Sequence, residues 1–191
     1  MPSSASEDLP SVSDVVAHFQ RALDADAPTT TGDLLRLLMA LHRNNLDQWQ
    51  REDVTRALDA DDATVAAAKR DIDALNSTRH GLVEAIDAAL AVAMEQERSA
   101  TPATESPAMV FDRLSVLTIR LHFTECAARE SGTDGGRYRA RLPLLRDQLM
   151  VVVQALEGLF EDIRTGRKRF VPYQSLKLYG SAGPAGEPPS V

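Results

Sequence analysis

One cysteine, one tryptophan and no surplus of positive charge are what this chain has little of, and each shortage removes a class of protein. Cys126 alone closes no disulfide within the chain, so nothing calls for an oxidising compartment and a cytoplasmic protein is expected. There is no CxxC or HExxH spacing and no glycine loop of the phosphate-cradling or dinucleotide type, which argues against structural zinc and redox cofactors. No apolar run approaches the roughly 20 residues that span a bilayer. The opening MPSSASEDLP lacks both the basic stretch and the apolar core of an export signal, so no membrane partner is expected. A formal charge of -7 argues against a phosphate-backbone binder and hence against nucleic acid. Aromatic residues make up only 5%, leaving little material for a sandwich or barrel, whereas the abundant Ala, Leu and Val favour packed helices.

What is present suffices for one full-sized core: 191 residues, 43% of them hydrophobic. The expected fold is all-α, an antiparallel helical bundle of about five helices with a C-terminal basic-aromatic tail. Residues 1–10 and 181–191, rich in Ser, Pro and Gly, are expected to be disordered, with a single bundle domain over 11–180. Cap and breaker signals predict a first helix from Ser11 or Ser13 to near Ala27 and Pro28. A second runs over Asp33 to Leu58, capped by the threonines of TTTGD or by Asp33. A third runs over Ala63 to Glu97. The segment SATPATESP reads as a linker, a fourth helix covers Ala108 to Glu130 and a fifth Arg137 to Thr165. Pro143 either kinks the fifth helix or moves its start to about 142, and Gly166 caps its end.

The second helix carries the most telling pattern. Leu35, Leu38, His42, Asn45, Trp49, Glu52 and Arg56 recur at strides of three and four, one stripe that begins apolar and turns polar. The third helix repeats this along Val65, Lys69, Ile72, Asn76, Arg79, Val83, Ile86 and Leu90, with Asp73 and His80 flanking it. Buried polar groups cost a few kcal/mol unless they are paired, so the two seams are expected to face each other around an internal polar site. In the fourth helix Asp112, Arg113, Ser115 and Arg120 interrupt MVFDRLSVLTIRLHF, which is apolar on almost every side, and they too need partners.

The runs LHRNNLDQWQREDVTR, AKRDIDALNSTR and SPAMVFDRLSVLTIRLHF, with Arg169, Phe170, Lys177 and Tyr179 near the end, resemble the bacterial family called domain of unknown function 4254, from about Leu38 to Tyr179. The resemblance implies an all-helical fold and assigns to the family's motifs His42, Asn45, Trp49, Glu52, Asp53, Arg56, Lys69, Arg70, Asp73, Asn76, Asp112, Arg113 and Ser115. It transfers no established reaction. Family genes often neighbour those for cell-surface glycans, which implies nucleotide or sugar-phosphate chemistry by association only. The chain departs from the family pattern in its added first helix, in TESPAM and in Thr118-Ile119-Arg120.

The reading these residues support is an enzyme acting on a small anionic metabolite that is phosphorylated, a nucleotide or a nucleotide sugar. Lys69, Arg70, Arg79 and Arg113, joined by Arg169 and Lys177, would form the anion pocket. Arg56, Asn76, Asp112, Ser115 and Tyr173 would line it, with Trp49 as its wall. His42, Asn45, Glu52 and Asp73 would carry the chemistry, and Glu52, Asp53 and Asp73 could hold a divalent cation such as Mg²⁺. The bland alternative makes Glu52 and Asp73 structural partners of Lys69, Arg79 or Arg113, His42 a satisfied seam residue and Trp49 packing. The whole chain would then be a non-catalytic ligand-binding or protein-interaction module, docking a partner or a second copy of itself through the tail.

Overall fold

The computed structural model describes residues 9–24, 32–57, 61–130 and 133–175. They form helices α1 (Val12–Leu23), α2 (Asp33–Thr55), α3 (Asp62–Ala93), α4 (Pro107–Arg129), α5 (Thr133–Arg139) and α6 (Leu142–Arg164), plus two-residue strands β1 (Thr101–Pro102) and β2 (Lys168–Arg169). The fold is all-α. No helix among these residues is long and apolar enough to cross a membrane. The expected continuation of the first helix to Ala27, the cap threonines, the extension to Leu58, and Lys177 and Tyr179 lie outside the described residues. Leu9, inside the stretch expected to be disordered, packs against the core.

Local chemistry sets the helix ends. Ser11 caps α1 by accepting the Asp14 N–H at 3.0 Å, and Asp61 caps α3 by accepting that of Thr64 at 2.7 Å. Gly32, not a side chain, occupies the cap position of α2. α3 stops at Ala93 instead of Glu97, because the Glu97 carboxylate takes the Ser99 N–H (3.1 Å) and hydroxyl (2.9 Å) in a local turn that competes with the helix. Pro143 does not kink a long fifth helix. It is the second residue of α6, and the chain before it forms the separate α5. At the far end Gly166 adopts φ +70° while its N–H and that of Arg167 return to the carbonyls of Ile163 (3.0 Å) and Asp162 (2.8 Å), which closes α6.

Packing follows the apolar stripes. Leu38 and Leu41 of α2, Ile86 and Leu90 of α3, Phe111 and Leu114 of α4, and Leu156 and Ile163 of α6 share one core with Val15 and Phe19 of α1. α4 is the central helix, touching α1, α2, α3, α5 and α6. Asn44 reaches the Leu75 carbonyl and Arg51 reaches Asp71, so later parts of α2 meet earlier parts of α3. β1 and β2 pair in parallel through the N–H groups of Thr101 and Ala103, so the proline between them, which has no N–H, breaks no bond. Asp162 fixes this closure by pairing with Lys168 and Arg167, and the two cations, Lys168 first, hold its carboxyl below the ordinary range. The chain then runs back along α3: Gln96 accepts the Phe170 N–H at 2.7 Å and Glu84 that of Ser175.

Candidate functional site: a polar row behind a two-arginine cleft

Polar residues of α2, α3 and α4 meet in one buried row. The Asn45 amide donates to Asp112 Oδ1 (2.9 Å) and to Ser115 Oγ (3.1 Å), and Ser115 Oγ lies 2.9 Å from His42 Nδ1. Arg79 closes the row from α3, its Nε donating to Asp112 Oδ1 (2.9 Å) and Oδ2 (3.0 Å) while Nη2 also reaches Oδ2. The Asp112 hydrogen bonds, then its charge, with smaller help from Tyr173 and Glu52, hold Arg79 more firmly protonated than a free guanidinium, against the opposing effect of burial.

His42 sits at the inner end. Ser115 Oγ accepts from Asn45 and shares a second bond with His42 Nδ1, whose direction follows the ring tautomer; the other ring nitrogen is Nε2. That nitrogen is buried and has no hydrogen-bond partner among the described residues. The ring stacks on Phe19 of α1, centroids 4.4 Å apart and planes 7° from parallel. Burial pushes its pKa down to about 4, against the smaller opposing effect of the Phe19 backbone. At 1% exposure His42 is a neutral support for Ser115, behind the row and away from solvent.

On the outer side, Arg79 and Asp112 form part of the lining of a cleft of about 370 Å³ between α3, α4 and the returning segment. Arg113 stands across it, paired with Glu105. His80 and Tyr173 form one side, with the phenol oxygen 2.9 Å from Nδ1 and the rings stacked 5.8 Å apart. Val83, Met109 and Val116 supply apolar surface. The cleft thus offers two guanidiniums, an imidazole bonded to a phenol, and two carboxylates.

Asp87 links two of the elements that frame this cleft. It is fully buried at 0% exposure, and its two oxygens accept the N–H groups of Ala108 (2.9 Å), in the first turn of α4, and of Tyr173 (2.8 Å). Ser106, the cap residue of α4, makes no side-chain cap bond, so Asp87 answers that helix end from α3. One carboxylate therefore ties the start of the helix that carries Asp112 and Arg113 to the residue that walls the cleft.

Of the residues singled out in the sequence, Arg79, Asp112, Arg113 and Tyr173 line the cleft, and Asn45, Ser115 and His42 stand behind it. Others go elsewhere. Trp49 stacks on Phe123 of α4, centroids 5.8 Å apart, and is not a cleft wall. Lys69 and Asp73 form an exposed pair at 2.5 Å, and Arg70 is exposed. Arg56 is exposed and binds Glu52 at 3.0 Å and Asp53 at 3.6 Å. The expected cation trio of Glu52, Asp53 and Asp73 is not assembled: among the described residues no three His, Cys, Asp or Glu are grouped to hold a metal. Asn76 is half-buried, and Arg169 is half-buried with a buried Nε that has no partner among the described residues. Arg113, expected on a buried face, is half exposed. Sequence reasoning missed Asp87 and Glu105 and left His80 as a flank, although its position beside Arg79 and one turn beyond Asn76 was a usable signal.

Helix packing, the buried Arg-Asp-Asn-Ser-His row and the cation-bearing cleft beside it define an all-α protein with a polar row set into its core. The chain belongs to the family of proteins of unknown function DUF4254, whose model matches residues 35–171. α1, with the Phe19 that covers His42, and Tyr173 fall outside the matched stretch. No curated protein and no solved structure matches the chain.

Proposed function

We propose that the cleft between α3, α4 and the segment 168–175 binds a small phosphorylated metabolite, a nucleotide or a nucleotide sugar, and that the protein is an enzyme acting on it. The observation that carries this reading is the convergence of Arg79 and Arg113 on one small cleft, with unequal partners. Arg79 is locked to the buried Asp112 and lends a fixed positive edge. Among the described residues Arg113 is held by Glu105, in a pair whose side chains are 50% and 36% exposed. Solvent screens this exposed pair, and a phosphate brings more negative charge and more acceptor oxygens than the Glu105 carboxylate, so in this reading the ligand displaces Glu105. The freed Glu105 carboxylate and the His80–Tyr173 couple then stand beside the bound anion as proton carriers.

One observation favours a second reading. Both arginines are already neutralised by carboxylates, which suits a sensor that exchanges Glu105 for a ligand without chemistry. Thermal melts against nucleotides, nucleotide sugars and sugar phosphates, followed by product analysis, test both. A ligand at 100 times its Kd adds about 2.7 kcal/mol to stability, and Arg113→Gln should remove that gain. Binding with turnover supports the enzyme, binding without turnover supports the sensor, and no shift with any anion overturns both.

A further inference from the structure

We propose that the anion taken by this cleft carries a single aliphatic chain, and that the chain lies in the groove on the other side of the Arg113–Glu105 pair. This rests on the anion reading above and names the class of ligand. Arg113 and Glu105 line two adjoining spaces, the cleft already described and a groove of about 410 Å³ between α4, α6 and the segment around β1. Consecutive residues of α4 divide them: Met109 faces the cleft and Val110 the groove.

The two spaces differ in chemistry. Val110, Val151, Val152, Ala155, Leu156 and Leu159 make the groove aliphatic, and among the described residues no aromatic ring lines it for a base to stack on. Its charged lining residues are Glu105, Arg113 and Lys168. Lys168 is engaged by Asp162 at 2.9 Å, which leaves Arg113 as the cation shared with the cleft. A headgroup bound by Arg113 and Arg79 therefore has an apolar exit beside it. Val151 is 62% exposed in this groove, apolar surface that a bound chain would take out of water. Each space lies within the roughly 300–1,000 Å³ typical of small-molecule sites, which favours a monomeric amphiphile over a partner helix.

Binding of methyl phosphate and of decyl phosphate, the latter below its micelle concentration, is measured by calorimetry on the full chain and on two variants, Ala155→Phe and Val151→Trp. Position 155 is exposed, so phenylalanine can fill the groove from its surface, and Val151→Trp adds uncharged bulk at a second exposed position if the first variant packs poorly. Decyl phosphate is expected to bind at least about tenfold more tightly than methyl phosphate, since two buried methylenes suffice for that factor. Both variants should bring decyl phosphate down to the methyl phosphate level and leave methyl phosphate unchanged. Equal affinity for the two probes overturns the chain inference and leaves the anion reading standing. A decyl preference that neither variant weakens places the chain elsewhere and also overturns it. If neither probe binds, the chain inference falls, and the anion reading falls with it when the nucleotides and sugar phosphates also leave the melt unshifted.

Discussion

Arg79 on α3 holds Asp112 on α4 at two points, and Asn45 on α2 donates to the same carboxylate from behind at 2.9 Å. Three helices therefore share one buried anion. Removing it leaves the guanidinium without its acceptor and the Asn45 amide with Ser115 alone, and that loss is larger than the net worth of the intact pair. Because Arg79 is a third exposed, solvent relieves part of the cost.

Asp112→Ala should accordingly lower unfolding stability by about 2–3 kcal/mol. Urea denaturation of Asp112→Ala, Arg79→Met and the double variant checks this. The double variant should be less damaged than the two single losses added together, and strict additivity would show that the residues do not act as a pair.

The His42 ring supplies a pH signature. Its pKa is about 4 in the fold against 6.5 when unfolded, so below pH 6.5 the unfolded chain takes up a proton that the folded chain refuses. This contribution is intact above pH 6.5 and is lost as the pH falls toward 4, by up to about 3 kcal/mol. The stability difference between wild type and His42→Gln, followed from pH 7 to pH 4, should shrink by that amount. A difference independent of pH would mean that the imidazole charges freely where it stands.

Asp87→Ala should cost about 3 kcal/mol by removing two charge-assisted bonds to backbone amides. The loss should also be local. Amide hydrogen exchange at Ala108 and Tyr173 is expected to accelerate more than at Leu38 or Leu41 in the core, and unchanged protection at those two amides would contradict the clamp.

The helices and the polar row were largely legible in the sequence, because stride-of-three-and-four patterns report which side of a helix is buried. His42 and Asn45 fall where that stripe puts them. Lys69 does not, because the buried stripe of α3 passes through Ala68 and Ile72. In an alanine-rich turn, apolar residues on several sides leave the stripe free to be read one residue, about 100°, off. Arg113 was misread for a related reason: it follows Asp112 by one position, and 100° separates a buried carboxylate from an exposed guanidinium. Asp87 was invisible because its partners are backbone amides of Ala108 and Tyr173, which carry no residue signature. The cleft itself depends on the returning segment, whose path along α3 is fixed by such bonds and not by any apolar period.

Phe19→Ala should destabilise the fold by about 3 kcal/mol, by emptying a fully buried site and unstacking His42. If α1 serves only to cover the row, anion affinity in the outer cleft should stay unchanged in the folded variant, and a large change in affinity would tie α1 to the site.

The most direct test of the account is methyl NMR of the methionines during titration with inorganic phosphate, a sugar phosphate and a nucleoside monophosphate. Met109 lines the two-arginine cleft, while Met150 lies 59% exposed on α6 outside it. The account predicts that at least one of these anions shifts the Met109 resonance in a saturable way, leaves Met150 still, and loses its effect in Arg113→Gln. A Met109 signal that no anion moves, or that moves equally well without the Arg113 charge, would contradict it.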